Sequence, residues 1–349
     1  MNDRSTSRET APDYRQCRLC PRWCGVNRSA GRTGACRQSD RMVLACATRH
    51  FGEEPPLTGR GGSGTLFFSG CTMRCGFCQN RQLSRGECGR EISEEEFSGI
   101  CLDLQTTGAE NINLVSATPF IPSLEKGLRR ALADGLRLPV VWNSSGYELP
   151  EQVERLAEFV DIFLPDMKLM DPELAGRLFG AKDYPARARA AVKRMAEMKP
   201  VWYEACGSGP GSAGGGIGSS GRLVTGTIVR HLVLPGLLEE TRRVMEWFAA
   251  EMRNQALFSL MVQFYVPEDI QGWKRGVDIL ENRPLTDREY GQLLEWLEDF
   301  GIEEGFIQEP GEDESWWPDF GRPNPFPPGY SKPVWSWISN GDRLSKADQ

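Results

Sequence analysis

The sequence predicts an α/β protein: a parallel sheet covered by helices, wound as a closed or half-closed barrel. A cysteine-rich segment precedes it and an extension follows it. Three observations carry this expectation. From about residue 60, apolar strand-like runs alternate with helix-like stretches. The strand-like runs are continuously apolar, as strands buried on both faces must be. Composition changes at both ends, to clustered cysteines before residue 90 and to Pro, Gly, acidic residues and tryptophans after residue 310. With 349 residues, the chain has room for about two domains, or one barrel with additions.

The elements follow in order. GTLFFSG (64–70) is a short strand that runs into a cysteine loop. Residues 93–107 open with Ser93 and Glu96, the pattern of a capping box, and continue with helical spacing. NINLVSATP (111–119) is a buried strand ending in a turn, followed by a helix from Ser123 to Asp134. LPVVWNSSG (138–146) and VDIFLPDMK (160–168) are further strands, separated by the helix PEQVERLAEF (150–159). A helix at 185–198 leads to the strand PVWYEA (200–205). Residues 207–221 hold eight Gly and four Ser, the composition of a flexible surface loop. Then come GTIVRHLVLPG (226–236), a helix to about residue 254, FSLMVQFYV (258–266), a helix from Thr286 to Phe300 and a short strand at Gly305–Gln308. The divisions expected are a disordered start at 1–14, a cysteine-rich metal-binding segment at 15–60, the barrel at 61–310 and a Pro- and Trp-rich extension at 311–349. Trp316, Trp317, Trp335 and Trp337 are expected to pack that extension onto the barrel.

In such folds the working residues stand at the C-terminal ends of the strands. This selects Cys71–Cys78, Ser116–Pro119, Asn143–Tyr147, Pro165–Lys168 and the segment around Gln263–Tyr265 as the walls of one cavity. Arg230 and His231 are neighbours on a strand and point to opposite faces, so one of them is expected inside.

Composition excludes several functions. Lys and Arg number 41 against 48 Asp and Glu, a net charge of −7, which gives no footprint for nucleic acid or a membrane surface. No apolar run approaches the roughly 18 residues that span a bilayer. The opening MNDRSTSRET is polar and is no secretory signal, so a cytoplasmic protein with few disulfides is expected. Only two histidines are present, which leaves little room for histidine-based zinc hydrolysis.

Eleven cysteines are the unusual feature of the composition, and nine of them precede residue 90. Cys46, Cys88, Cys101 and Cys206 are scattered, as small buried hydrophobes are. The other seven form two groups. Cys71, Cys75 and Cys78 lie in SGCTMRCGFCQN, on one loop after a strand. Three thiolates cannot close a tetrahedral site, but they can hold three irons of a four-iron cubane and leave the fourth open. An open coordination position marks a reactive centre.

That loop matches the Cys-x3-Cys-x2-Cys signature of the radical S-adenosylmethionine enzymes, with the aromatic Phe77 before its last cysteine. CRLCPRWCGVNR, EEPP, GSGTLFFSGC, CQN, RHLVLPG and NRPLT further resemble the branch related to pyruvate formate-lyase activating enzymes, over roughly residues 15–310. The resemblance implies a partial, TIM-like barrel of six βα units. It also implies a [4Fe-4S] cluster on Cys71, Cys75 and Cys78 that binds S-adenosylmethionine, with Phe77 near the adenine. Ser116, Ala117 and Thr118 stand where the family has a Gly-Gly-Glu type turn, so backbone groups there would contact the methionyl amine without a glutamate. Asn143 and Ser144 occupy an Asp-Thr position, and the change to Asn puts a bound monovalent cation in doubt. Asp166 and Lys168 match an Asp-x-Lys, with Lys168 as partner of the methionyl carboxylate.

The second group, Cys17, Cys20, Cys24 and Cys36, supplies four thiolates, enough to close a site. Gly25, Gly31 and Gly34 permit the turns around it. Structural zinc or an auxiliary iron–sulfur cluster would fit, and the asymmetric spacing leans to iron–sulfur.

The resemblance thus implies an oxidoreductase that cleaves S-adenosylmethionine to a 5′-deoxyadenosyl radical for hydrogen abstraction. One expectation is a glycyl-radical-enzyme activase with a protein substrate. Others are modification of a small molecule or of another protein residue, and a non-catalytic iron–sulfur or zinc protein for electron transfer or interaction. A low-potential donor such as flavodoxin or ferredoxin is the expected partner. No acid–base residue is assigned as catalytic from sequence.

Overall fold

The computed structural model describes residues 14–205, 221–266, 276–311 and 317–339. The start of the chain, Cys206, the Gly/Ser loop up to Ser220 and Trp316 lie outside the described residues. The strands are β1 (Met42–His50), β2 (Ser63–Phe68), β3 (Arg90–Ile92), β4 (Ile112–Val115), β5 (Val140–Ser144), β6 (Ile162–Pro165), β7 (Trp202–Ala205), β8 (Gly221–Leu232), β9 (Leu257–Met261), β10 (Gly305–Ile307) and β11 (Ser331–Ser336). The helices are α1 (Pro55–Thr58), α2 (Arg81–Ser84), α3 (Glu94–Thr106), α4 (Ile121–Ala133), α5 (Pro150–Leu156), α6 (Pro172–Phe179), α7 (Tyr184–Met198), α8 (Leu238–Glu251) and α9 (Asp287–Asp299).

Strands β2, β4, β5, β6, β8, β9 and β10 run parallel and neighbour one another in chain order. This is the expected α/β architecture, with one more parallel strand than a six-unit barrel. The order ends at β10 on one side and at β11 on the other, so the sheet is not closed. β1 joins antiparallel to β2, and β11 joins antiparallel to β1. Trp335 on β11 is buried under the Arg90 guanidinium, while Trp337 donates its indole N–H to the Phe320 carbonyl and Trp317 packs on Tyr265. The expected strand at 200–205 is present, but it folds back on β8 as an antiparallel hairpin.

Along each parallel strand, alternate side chains divide between helices and interior. Leu114, Trp142 and Phe163 face out and pack with α3, α4 and α5. Val141, Ile162, Leu164, Ile228 and Leu257 face in and form an apolar plug. Burying such a side chain contributes roughly 1.5–3 kcal/mol each, so the plug is the barrel's inner brace. One pleat further on, Asn143, Asp166, Arg230 and Ser259 line a cavity. The barrel interior therefore changes from apolar to polar toward the strands' C-terminal ends.

Helix starts are set locally. The Ser93 hydroxyl accepts the Glu96 N–H at the start of α3, but the Glu96 carboxylate pairs with Arg90, so only half of the expected box forms. α9 has the complete box, between Thr286 and Glu289. α6 has no counterpart among the sequence expectations. Its signals were Asp171, which accepts from Glu173 and Leu174, a first-turn Pro172 and the left-handed Gly180.

Candidate functional site

A cavity of about 380 Å³ opens at the polar end of the barrel. Cys71, Cys75 and Cys78 form part of its wall, carried there by the loop after β2. Cys75 is buried and the other two are partly exposed; all three are free thiols. Burial pushes the Cys78 thiol up to about 11 and Cys75 higher still, so as neutral thiols they are stable, and binding a metal would displace their protons. Among the described residues, no three His, Cys, Asp or Glu side chains are gathered tightly enough to grip a single ion. A cubane asks for something else, because each thiolate takes a different iron.

Phe77 lines the same wall and is held by the rings of Phe179 and Phe264, at 6.2 and 5.8 Å between centroids. Ser116 follows β4 with φ of 57°, a left-handed backbone that costs a serine about 1–3 kcal/mol and is the kind of strain found at binding turns. Its N–H donates to the Asn143 carbonyl at 3.0 Å. Ser116, Asn143, Ser144, Asp166 and Lys168 all line the cavity. Lys168 donates to Asp166. Burial works against the Lys168 charge, but Asp166 holds the ammonium charged. A single ammonium thus stands beside the thiols.

Ala117 and Thr118 are not on the cavity surface. The turn buries both, and the Thr118 hydroxyl donates to Glu148 at 2.9 Å. Glu148 also accepts from Ser144 (2.9 Å) and from the Trp142 indole (3.3 Å), so one buried carboxyl ties the ends of β4 and β5 together. Burial raises its pKa. Gln263 faces the cavity, while Tyr265 turns away to Trp317.

Alternation left open which of Arg230 and His231 enters. Arg230 does; among the described residues it meets two carboxylates there. It donates through Nε to Glu54 at 2.8 Å and through Nη2 to Glu53 and Glu54. Ser259 adds a hydroxyl to Glu54 at 2.7 Å, and Asn113 adds an amide to Glu53 at 2.9 Å. Burial opposes the Glu54 charge, yet Arg230 holds its carboxyl below the ordinary range. His231 lies on the outer face, donating Nδ1–H to the Met167 carbonyl (2.7 Å) and accepting from Thr241 (2.9 Å). Burial takes its pKa down to about 4, so it stays neutral and structural.

Sequence reasoning missed Glu53, Glu54, Glu148 and Tyr184 as site residues. The Glu-Glu-Pro-Pro run was visible, but its convergence with Arg230, 176 residues on, was not. Tyr184 accepts the Lys168 N–H at 2.9 Å and faces the Ser145 and Asp166 carbonyls from behind the cavity.

Residues 65–208 match the family model of the radical SAM superfamily. An uncharacterized protein of Methanocaldococcus jannaschii is 28% identical over 301 residues, which is 83% of this chain and 76% of that protein. Among solved structures, SuiB of Streptococcus suis bound to its precursor peptide SuiA aligns at 13% identity and a TM-score of 0.44, over 69% of this chain. The chain spans 47% of SuiB. A domain of a pyruvate-formate lyase-activating enzyme from Bacteroides vulgatus aligns at 14% identity and a TM-score of 0.36, over 54% of this chain and 91% of that domain. Among the described residues, no helix is long and apolar enough to cross a membrane.

Proposed function

We propose, from the match of residues 65–208 to the radical SAM superfamily model, that the cavity binds a [4Fe-4S] cluster and S-adenosylmethionine for hydrogen abstraction. One observation carries the reading: three thiols on one loop share a cavity with a single ammonium, Lys168, and with the strand ends that carry Ser116 and Asn143. Cys71, Cys75 and Cys78 would hold the cluster. When bound and reduced, such a cluster supplies the electron that breaks a carbon–sulfur bond of S-adenosylmethionine, leaving methionine and a 5′-deoxyadenosyl radical.

The remaining work falls to the chain. Lys168 offers a cation for the methionyl carboxylate, while Asp166 and the Tyr184 hydroxyl fix its position. The strained Ser116 turn presents backbone groups to the methionyl amine. Phe77 closes the apolar side. The apolar plug below shuts the barrel's other end to water. A low-potential donor such as flavodoxin or ferredoxin would deliver the electron.

For the substrate, the finer reading is a glycine in a partner protein, as in glycyl-radical-enzyme activation. The buried Arg230–Glu53–Glu54 group favours a second reading, a small polar molecule held by charge inside the cavity. Anaerobic reconstitution, reduction and S-adenosylmethionine should yield 5′-deoxyadenosine from wild type and none from the Cys71→Ala, Cys75→Ala, Cys78→Ala triple variant. Equal yields from both would refute the cluster assignment, and no product from a loaded wild type would favour a non-catalytic electron-transfer role. Deuterium moving from a glycine-labelled protein into 5′-deoxyadenosine would establish the activase. Its absence with every protein candidate would leave the small molecule.

A further inference from the structure

The N-terminal cysteines lie outside this cavity, yet two arginines from the same segment reach its loops. Arg22 donates to the Thr72 carbonyl at 2.8 Å, between the first two cysteines of the cluster loop. It also holds the carbonyls of Phe179 (2.8 Å) and Gly180 (2.6 Å). Arg28 donates to the Pro119 carbonyl at 2.8 Å, at the end of the Ser116 turn. Both loops that would receive S-adenosylmethionine are therefore pinned from the N-terminal segment.

That segment has little to hold its own shape. Its apolar cluster is Tyr14, Cys17 and Leu19, with Cys24 against it. Its backbone includes two left-handed residues that are not glycine, Trp23 and Arg37, each next to a cysteine. So small a core leaves these strained turns to backbone hydrogen bonds and the arginine anchors, and a metal on the cysteines would brace them further. All four cysteines are free thiols. Cys24 and Cys36 face each other across Gly34, where a Cβ would lie 3.1 and 3.7 Å from their sulfurs.

Arg28 shows the charge this nest is built for. It is 1% exposed, and among the described residues no carboxylate pairs with it. Its partners are carbonyl oxygens, the Tyr14 ring at 4.7 Å and the Cys17 sulfur, to which Nη1 donates at 3.5 Å. A buried cation without an anion is costly. Four thiolates around zinc, or around a four-iron cluster in its oxidised state, carry a net charge of −2 and supply the missing anion.

We propose that Cys17, Cys20, Cys24 and Cys36 form a metal centre whose occupancy sets the position of the Cys71–Cys78 loop and the Ser116 turn through Arg22 and Arg28. The shared chemistry is a closed four-thiolate centre, which zinc or a four-iron cluster would fill, and the asymmetric spacing of the four cysteines favours the cluster. Naming those two segments as cofactor loops rests on the reading of the cavity given above; the centre itself does not.

The test uses the full chain carrying Cys71→Ala, Cys75→Ala and Cys78→Ala, which leaves the N-terminal thiols as the clustered set. Reconstituted anaerobically with iron and sulfide, or supplied with zinc, it should retain about four irons or one zinc per chain. Retention of neither overturns the centre. Adding Cys20→Ser and Cys24→Ser should release the metal and speed amide exchange in residues 71–78 and 116–120 roughly tenfold, as expected when an anchoring hydrogen bond is lost. Should that variant fail to fold, Arg22→Met keeps all four thiols. It should retain metal yet exchange faster at residues 71–78. Metal retained with exchange unchanged in Arg22→Met overturns the relay while leaving the centre. Failure of wild type to form 5′-deoxyadenosine would defeat the reading of the cavity and leave both results standing.

Discussion

Within one cavity, Lys168 meets Asp166 one to one, with side chains 18% and 23% exposed. One strand over, Arg230 faces both Glu53 and Glu54, and the three side chains are 12%, 7% and 6% exposed. Asp166 and Arg230 are even paired in a backbone bridge, so the two groups share a frame and differ in charge count. The first is neutral and partly wet, able to exchange its carboxylate for that of a ligand. The second carries an excess negative charge in a dry place, so it is held in place by its guanidinium. One group can exchange a partner, and the other presents a fixed negative charge to the cavity.

The largest test of that contrast removes Arg230. Arg230→Met leaves two buried carboxylates facing each other, and urea titration should show a loss of about 3–5 kcal/mol. Glu53→Gln keeps one carboxylate on the guanidinium and should change stability by less than about 1 kcal/mol. Comparable losses in the two variants would end the distinction. Lys168→Met should act on binding instead: the S-adenosylmethionine concentration needed for 5′-deoxyadenosine formation should rise roughly 10- to 100-fold, the worth of a charged hydrogen bond. A large fall in melting temperature for this variant would make Lys168 structural as well.

The smallest expected effect belongs to Glu148. Its buried carboxyl titrates above the ordinary 4.5, because burial disfavours the charged form more than its three donors favour it. A raised folded-state pKa contributes stability below the unfolded value and loses it as pH rises through the folded one. Glu148→Gln can accept from Thr118 and Trp142 through its oxygen and, with the Ser144 hydroxyl turned, donate to it, all without a charge. Wild type should therefore lose melting temperature relative to Glu148→Gln as pH rises above 4.5, whereas parallel curves would mean that the folded pKa is unshifted.

The parallel strands were legible because each is a short apolar run that ends in a turn, and the strand-end rule then brought Phe77, Ser116, Asn143 and Lys168 to one cavity. β1 and β11 were not legible. β1 lies within the cysteine-rich segment and ends in the polar Thr48, Arg49 and His50, and its partner lies almost three hundred residues away, with Pro333 inside it. The same distance hid the Arg230–Glu53–Glu54 group. Thr118 and Ala117 were placed on the surface of the cavity by position in the turn, but a turn has an underside, and Glu148 occupies it.

The antiparallel pairing of β1 with β11 also has a consequence in time. Thr48 and Ser331 join hydroxyls at 2.7 Å across that pair, so among the described strands one synthesised late covers the edge of one synthesised early. Until it arrives, the nascent chain shows an unpaired strand edge beside the strand that leads to Cys71, and such edges invite pairing with other chains. A ribosome that stalls before Ser331 would release a chain in which most of the barrel is present and its first strand is still adhesive.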